Sequence, residues 1–196
     1  MVERISKVSR KTEETNIQVE LNIDGSGRFD IKTGIDMADH FISQLAKHGL
    51  FDITISATGD NQHHIVEDVA ICLGKAFNEA LGEKKGITRM GNAMVPMDEA
   101  LVEVAVDVGG RTYSVIDVSF VRSSIDGLNV DLVRHFLESF ASEAKINLHA
   151  RVITGINDHH KAEALFKALG RALDSATRVD ERMIGKIPST KNTIDS

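Results

Sequence analysis

The sequence predicts an α+β fold built from two tandem copies of one strands–helix–strand–helix unit. Three observations carry this. The stretch Thr58-Gly59-Asp60-Asn61-Gln62-His63-His64-Ile65-Val66-Glu67 recurs 96 residues later as Thr154-Gly155-Ile156-Asn157-Asp158-His159-His160-Lys161-Ala162-Glu163. Runs of period two alternate with runs of helical period in the same order in each half. Glycine-rich turn and stop signals separate those runs.

In the first half, Ile17 to Ile23 alternates apolar and polar residues, the mark of a half-buried strand. Asp24-Gly25-Ser26-Gly27 is a turn signal and Arg28 to Lys32 alternates again, so a hairpin is expected there. Asp36 to His48 carries Met37, Phe41 and Leu45 at helical spacing, with Gly49 as a stop. Phe51 to Ala57 reads as a strand, and His63 to Leu81 as a helix stopped by Gly82. The second half repeats the order. Leu101 to Val108 and Thr112 to Val118 are strands around Gly109-Gly110, followed by a helix over Val130 to Ala144, a strand over Ile146 to Ile153 and a helix over His159 to Thr177. Ile87 to Glu99 joins the halves. The repeat frame extends further: Leu73-Gly74 meets Leu169-Gly170, Ala76 meets Ala172, Ala80 meets Ala176, and an offset of 95 aligns His40-Phe41 with His135-Phe136. The expected division is residues 1–86 and 87–180 for the repeats and 181–196 for a C-terminal tail. Sheets with apolar faces need a covering layer, which the helices supply.

At 196 residues and 42% hydrophobic, the chain is long enough for a sizeable core. Its net charge of -6, without a Lys/Arg block, argues against nucleic acid or an anionic membrane as the main partner. Met1 to Ile5 has no apolar core of signal-peptide type, and no apolar run approaches the ~20 residues that span a bilayer. One cysteine, Cys72, leaves no intrachain disulfide. The expectation is a cytoplasmic protein.

Six of the eight histidines sit at repeat-matched places: 40 with 135, 63 with 159 and 64 with 160. Only His48 and His149 are unmatched. Adjacent residues on a helix point about 100° apart, since a turn takes ~3.6 residues. His63 and His64 therefore do not serve one ion from one helix, whereas His63 with Glu67, and His159 with Glu163, share a face. Asp68 shares a face with His64, but its counterpart is Ala164, so the duplication favours Glu67 as the ligand. The pseudo-twofold relation between the halves suggests two sets. One is His63, Glu67, His40 and His160; its twin is His159, Glu163, His135 and His64. The members of a set can come from different subunits, because sequence symmetry does not say which copies meet. Three imidazole nitrogens with one carboxylate suit Mn, Fe, Co, Ni or Zn better than Mg or Ca. A ferritin-like di-metal protein places Glu-x-x-His motifs on a four-helix bundle, and this chain has too much strand pattern for that.

At these residues the chain resembles the imidazoleglycerol-phosphate dehydratases. The motifs are Glu14-Thr15-Asn16, Thr33-Gly34-Ile35, Asp39-His40-Phe41, Gln44-Leu45-Ala46-Lys47-His48-Gly49-Leu50-Phe51-Asp52, His63-His64 with Glu67-Asp68, Pro96-Met97-Asp98-Glu99-Ala100-Leu101, His159-His160-Lys161-Ala162-Glu163-Ala164 and Ile187-Pro188-Ser189-Thr190-Lys191. The resemblance implies a ribosomal protein S5 domain 2-like unit, duplicated, with helices packed between two mostly antiparallel four-stranded sheets. It implies a carbon–oxygen lyase of histidine biosynthesis, a hydro-lyase that converts imidazole glycerol phosphate to imidazole acetol phosphate through an imidazolate held by metal. It also implies two Mn2+ per active site and a 24-subunit particle built from trimers. By motif, Glu14 is the acid/base, with Glu67 and Glu163 at the reacting centre. His40, Gln44 and His48 would touch the substrate, and Arg89, Arg111, Lys167, Ser189 and Lys191 would hold its phosphate. Two features depart from the pattern: Gly59-Asp60-Asn61-Gln62 is short, and Arg89-Met90-Gly91-Asn92-Ala93 lacks the usual aromatic. Two other readings use the same residues: a di-metal phosphoester hydrolase, and a non-enzymatic metal-binding assembly protein.

Overall fold

The computed structural model describes residues 4–194; residues 1–3 and 195–196, at the outer ends of the expected first repeat and tail, lie outside the described residues. The first sheet is formed by β1 (Ile5–Lys11), β2 (Thr15–Asn22), β3 (Phe29–Lys32) and β4 (Asp52–Gly59), in the order β1-β2-β4-β3. Two helices belong to it, α1 (Asp36–Gly49) and α2 (Gln62–Leu81). The second sheet is formed by β5 (Met90–Met97), β6 (Ala100–Asp107), β7 (Tyr113–Asp117) and β10 (Asn147–Thr154), in the order β5-β6-β10-β7. Its helices are α3 (Asp131–Ala144) and α4 (Asp158–Thr177). Between β7 and α3 lies an excursion with the two-residue strands β8 (Ser124–Ile125) and β9 (Leu128–Asn129).

Each sheet is antiparallel except for its last pair, β3 with β4 and β7 with β10, which run parallel. The helices lie between the sheets and meet crosswise: α2 packs on α3, and α1 packs on α4. The apolar core is therefore shared by the two repeats. Phe41 of α1 stacks on Phe166 of α4 at 5.4 Å, and Phe77 of α2 meets Phe140 of α3 edge-on at 5.8 Å. Burying each such ring contributes about 1.5–3 kcal/mol.

Two expectations fail in the same way. The hairpins drawn from β2 to β3 and from β6 to β7 do not form, because β4 and β10 insert between them. The turn residues serve a crossing instead of a hairpin. Asp52 of β4 accepts hydrogen bonds from the amides of Ser26 and Arg28 and an ion pair from the Arg28 side chain. Ile87 to Glu99 is more than a joining segment, since most of it is β5. Its inward residues are Gly91, Ala93 and Val95, small because α4 lies directly on them, so no large apolar alternation marks the strand. β1 escaped notice for a related reason. Its inward face carries Ser6 and Arg10, which bond Glu79 and Asp68 of α2. Gly49 does not stop α1 either. It stays helical, and Leu50 turns left-handed at φ 57, as Lys145 does after α3 at φ 54.

The repeat-matched glycines mark the helix crossings. A Cβ on Gly74 would stand 2.6 Å from the Phe140 carbonyl oxygen, and one on Gly170 would stand 2.5 Å from that of Leu45. Both obstacles are backbone, which cannot rotate away. Gly74→Ala and Gly170→Ala should each lower stability by about 1–3 kcal/mol through forced separation of the helices. Chemical denaturation reads this; a loss near zero in both would mean the crossings are looser than described.

Candidate metal centre

The two helices that begin with paired histidines are capped alike. Asn61 accepts from the His64 amide, and Asn157 accepts from the amides of His159 and His160. Asn at this position satisfies amides that have no partner in the first turn. The cap fixes where each pair points. The rings of His63 and His64 lie 80° apart, and those of His159 and His160 lie 88° apart. One ring of each pair joins a cluster at a helix seam and the other does not.

His63 and His159 build two clusters, each at a seam between helices of different repeats. At the α1/α4 seam, His40 Nε2 and His159 Nε2 stand 2.9 and 3.0 Å from the same oxygen, Oε2 of Glu163. The second carboxylate oxygen pairs with Lys167 at 2.6 Å. Burial pushes the Glu163 carboxyl up, but the hydrogen bonds from Lys167, His40 and His159 outweigh it and hold it at about 2. At the α2/α3 seam, His63 and His135 stack at 4.7 Å, with Glu67 oxygens 3.9 Å from His63 Nε2 and 3.5 Å from His135 Nε2. His135 Nε2 is buried and makes no hydrogen bond. In each cluster three donor atoms converge within 4.8 Å. Two imidazoles and a carboxylate suit a divalent transition-metal ion, and the His135 nitrogen, which lacks a hydrogen bond, is a donor that such an ion would satisfy.

The grouping differs from the expected sets. His40 joins His159 and Glu163 instead of His63 and Glu67, and His135 joins His63 and Glu67 instead of His159 and Glu163. Crosswise helix packing is the reason: α1 faces α4 and α3 faces α2. His64 and His160 enter neither cluster of this chain. His64 Nδ1 is held by Asp60 at 2.8 Å, with Glu14 at 3.7 Å; the Asp60 hydrogen bond raises its pKa. His160 Nδ1 is held by Glu99 at 2.7 Å, which raises its pKa and brings the Glu99 carboxyl down to about 2. An imidazole fixed through Nδ1 by a carboxylate leaves Nε2 for a further partner, the usual setting of a ligand; His160 Nε2 stands 3.6 Å from Asp98.

Glu99 is a site residue that the sequence reading passed over. It lies at the β5–β6 turn and also accepts the amides of Ile156 and Asn157. Glu14 lies at the β1–β2 turn and faces the matched histidine. An acidic residue at the same place in both strand pairs was the available signal. Asp68 is not a candidate ligand: it is buried and ion-paired with Arg10 at 2.7 Å.

A separate cavity gathers Arg89, Arg111, Ser189 and Lys191, with Gly109 and Pro188 in its wall and no histidine in its lining. Arg89 already donates to Asp107 at 2.7 and 3.0 Å and to the Pro188 carbonyl at 2.9 Å. Two of its five N–H donors remain. Lys167 is not in this cavity; it stands at the α1/α4 cluster. His48 lies near Lys167 and Arg171, and burial with those two charges lowers its pKa. Gln44 is half-buried on α1, between His40 and His48.

The family model for imidazoleglycerol-phosphate dehydratase matches residues 33–173. The imidazoleglycerol-phosphate dehydratase of Dehalococcoides mccartyi strain CBDB1 is 59% identical over the whole of both chains. That of Roseiflexus sp. strain RS-1 is 55% identical, over 97% of this chain and 98% of its own. The crystal structure of the enzyme from Pyrococcus furiosus, in complex with (S)-C348, superposes with a TM-score of 0.83 at 37% identity, covering 95% of this chain and 99% of that one. The Staphylococcus aureus enzyme gives the same TM-score at 31% identity, covering 90% of this chain and 99% of its own.

The two clusters predict two separable points of metal uptake. Glu67→Gln and Glu163→Gln should each lower the metal bound per chain after loading and desalting, read by elemental analysis. Full occupancy in both variants would remove these carboxylates as ligands.

Proposed function

The chain belongs to the imidazoleglycerol-phosphate dehydratase family, hydro-lyases of histidine biosynthesis, and we propose that it dehydrates imidazole glycerol phosphate to imidazole acetol phosphate with two divalent metal ions, preferentially Mn2+. The observation that carries the metal reading is the pair of clusters, His40/His159/Glu163 and His63/His135/Glu67, each built across a helix seam. His64 and His160 belong to neither cluster of their own chain. In the proposed arrangement His64 completes a His40/His159/Glu163 cluster, and His160 completes a His63/His135/Glu67 cluster, on another copy. A 24-subunit particle built from trimers, working in the cytoplasm, would supply those copies.

Bound ions would supply positive charge to the imidazole of the substrate and so ease loss of its ring proton. The chain's own groups do the rest. Arg111, Lys191 and Ser189 offer two point or planar charges and a neutral donor to the phosphate. Arg89 pins the tail at Pro188, which keeps Ser189 and Lys191 over the cavity. Glu14 projects from the β1–β2 turn beside His64. A carboxylate there can accept a proton from carbon or return one to the departing hydroxyl. The phosphate cavity and the clusters do not share lining residues within one chain, which supports a site assembled from several copies.

Manganese-loaded protein incubated with imidazole glycerol phosphate should yield the enolisable ketone without releasing inorganic phosphate. Phosphate release without ketone would instead identify a phosphoester hydrolase. Glu14→Gln should keep metal and substrate binding but lose about 10²–10⁴-fold in turnover. Near-normal turnover would remove Glu14 from proton transfer.

A further inference from the structure

The duplication makes the two clusters comparable position by position, and one position breaks the symmetry. On α4, the residue one turn after the cluster carboxylate is Lys167; on α2, one turn after Glu67, it is Ile71. The offset of 96 that aligns His159 with His63 also aligns these two, and both are half-buried. Lys167 Nζ stands 2.6 Å from Glu163 Oε1. Next along the same face, Arg171 faces α1, where the residue in register is His48. In the α2/α3 seam the corresponding residues are Lys75 and Glu143, 3.9 Å apart and of opposite charge. One seam therefore carries surplus positive charge beside its carboxylate, and the other does not.

This rests on the metal reading above. We infer that Lys167 makes the two metal sites unequal, acting as a resident cation that weakens divalent-ion binding at His40/His159/Glu163, while the Ile71 site has no such competitor. A cation in contact with a carboxylate reduces its attraction for a second cation and repels that cation directly. The half-buried position limits screening by solvent and salt. Lys167 is thus a positioning and tuning residue for the metal. The same ammonium, paired with Glu163, is a charge that an anionic substrate group reaching that seam would meet. An anion that draws Lys167 away from Glu163 would strengthen metal binding there.

The test uses the full chain stripped of metal and titrated with Mn2+, the free ion being read by its EPR signal. A His135→Ala background isolates the α1/α4 cluster, and a His40→Ala background isolates the α2/α3 cluster. In the first, Lys167→Met should tighten Mn2+ binding about tenfold; in the second, Ile71→Lys should weaken it by a similar factor, and Lys167→Met should change nothing. Lys167→Gln, which keeps a polar side chain, should move affinity in the same direction as Lys167→Met. Unchanged affinity for Lys167→Met, Lys167→Gln and Ile71→Lys, with binding intact in both backgrounds, would overturn the inference. Absence of Mn2+ binding in both backgrounds would overturn the metal reading itself.

Discussion

Two adjacent side chains on an α-helix point about 100° apart, and the site follows from that one constraint. A His-His pair at a helix start cannot turn both rings the same way. The Asn caps set the phase, so that His63 and His159 join the seam clusters while His64 and His160 do not. The first ring of each pair finds a carboxylate one turn on and a histidine on the helix across the seam. The second ring is held at Nδ1 by an acidic residue of its own repeat, Asp60 in one half and Glu99 in the other. One local geometric rule, applied twice, gives two clusters and two imidazoles outside them.

Crosswise packing makes those clusters a property of the whole chain. Because α1 lies on α4 and α2 on α3, each cluster takes residues from both repeats. Gly74 and Gly170 permit the close approach, so the same residues that close the core bring the histidines into register. Core packing and site geometry are thus coupled: a shift of one helix along its seam would separate donor atoms that now converge within 4.8 Å.

The sequence carried most of this. The repeat, four helices within a residue or two, and the six matched histidines with two glutamates were legible because helical periodicity and duplication are local signals. Long-range pairing was not. The hairpins β2–β3 and β6–β7 looked sound from their turn residues, yet turn chemistry does not say whether a later strand will insert between two earlier ones. β5 and β1 were missed because one presents small residues and the other polar residues to its helix. The grouping of ligands within one chain was not legible for the same reason as the hairpins. Symmetry showed that the halves exchange partners but not which helix faces which. Glu99 carried no role because its meaning depends on His160, sixty-one residues away in sequence.

The central claim is that one chain holds two incomplete clusters and supplies two donors to other copies. Mixing defective copies tests this most directly. His64→Ala keeps its His40/His159/Glu163 cluster but has no donor to offer, whereas Glu163→Gln keeps the donor and spoils the cluster. Each assembled alone should be nearly inactive. Co-assembled in equal amounts after dissociation, they should regain about a quarter of the wild-type dehydration rate, since only clusters from one variant meeting donors from the other are intact. Verified co-assembly with no regained activity would contradict the account.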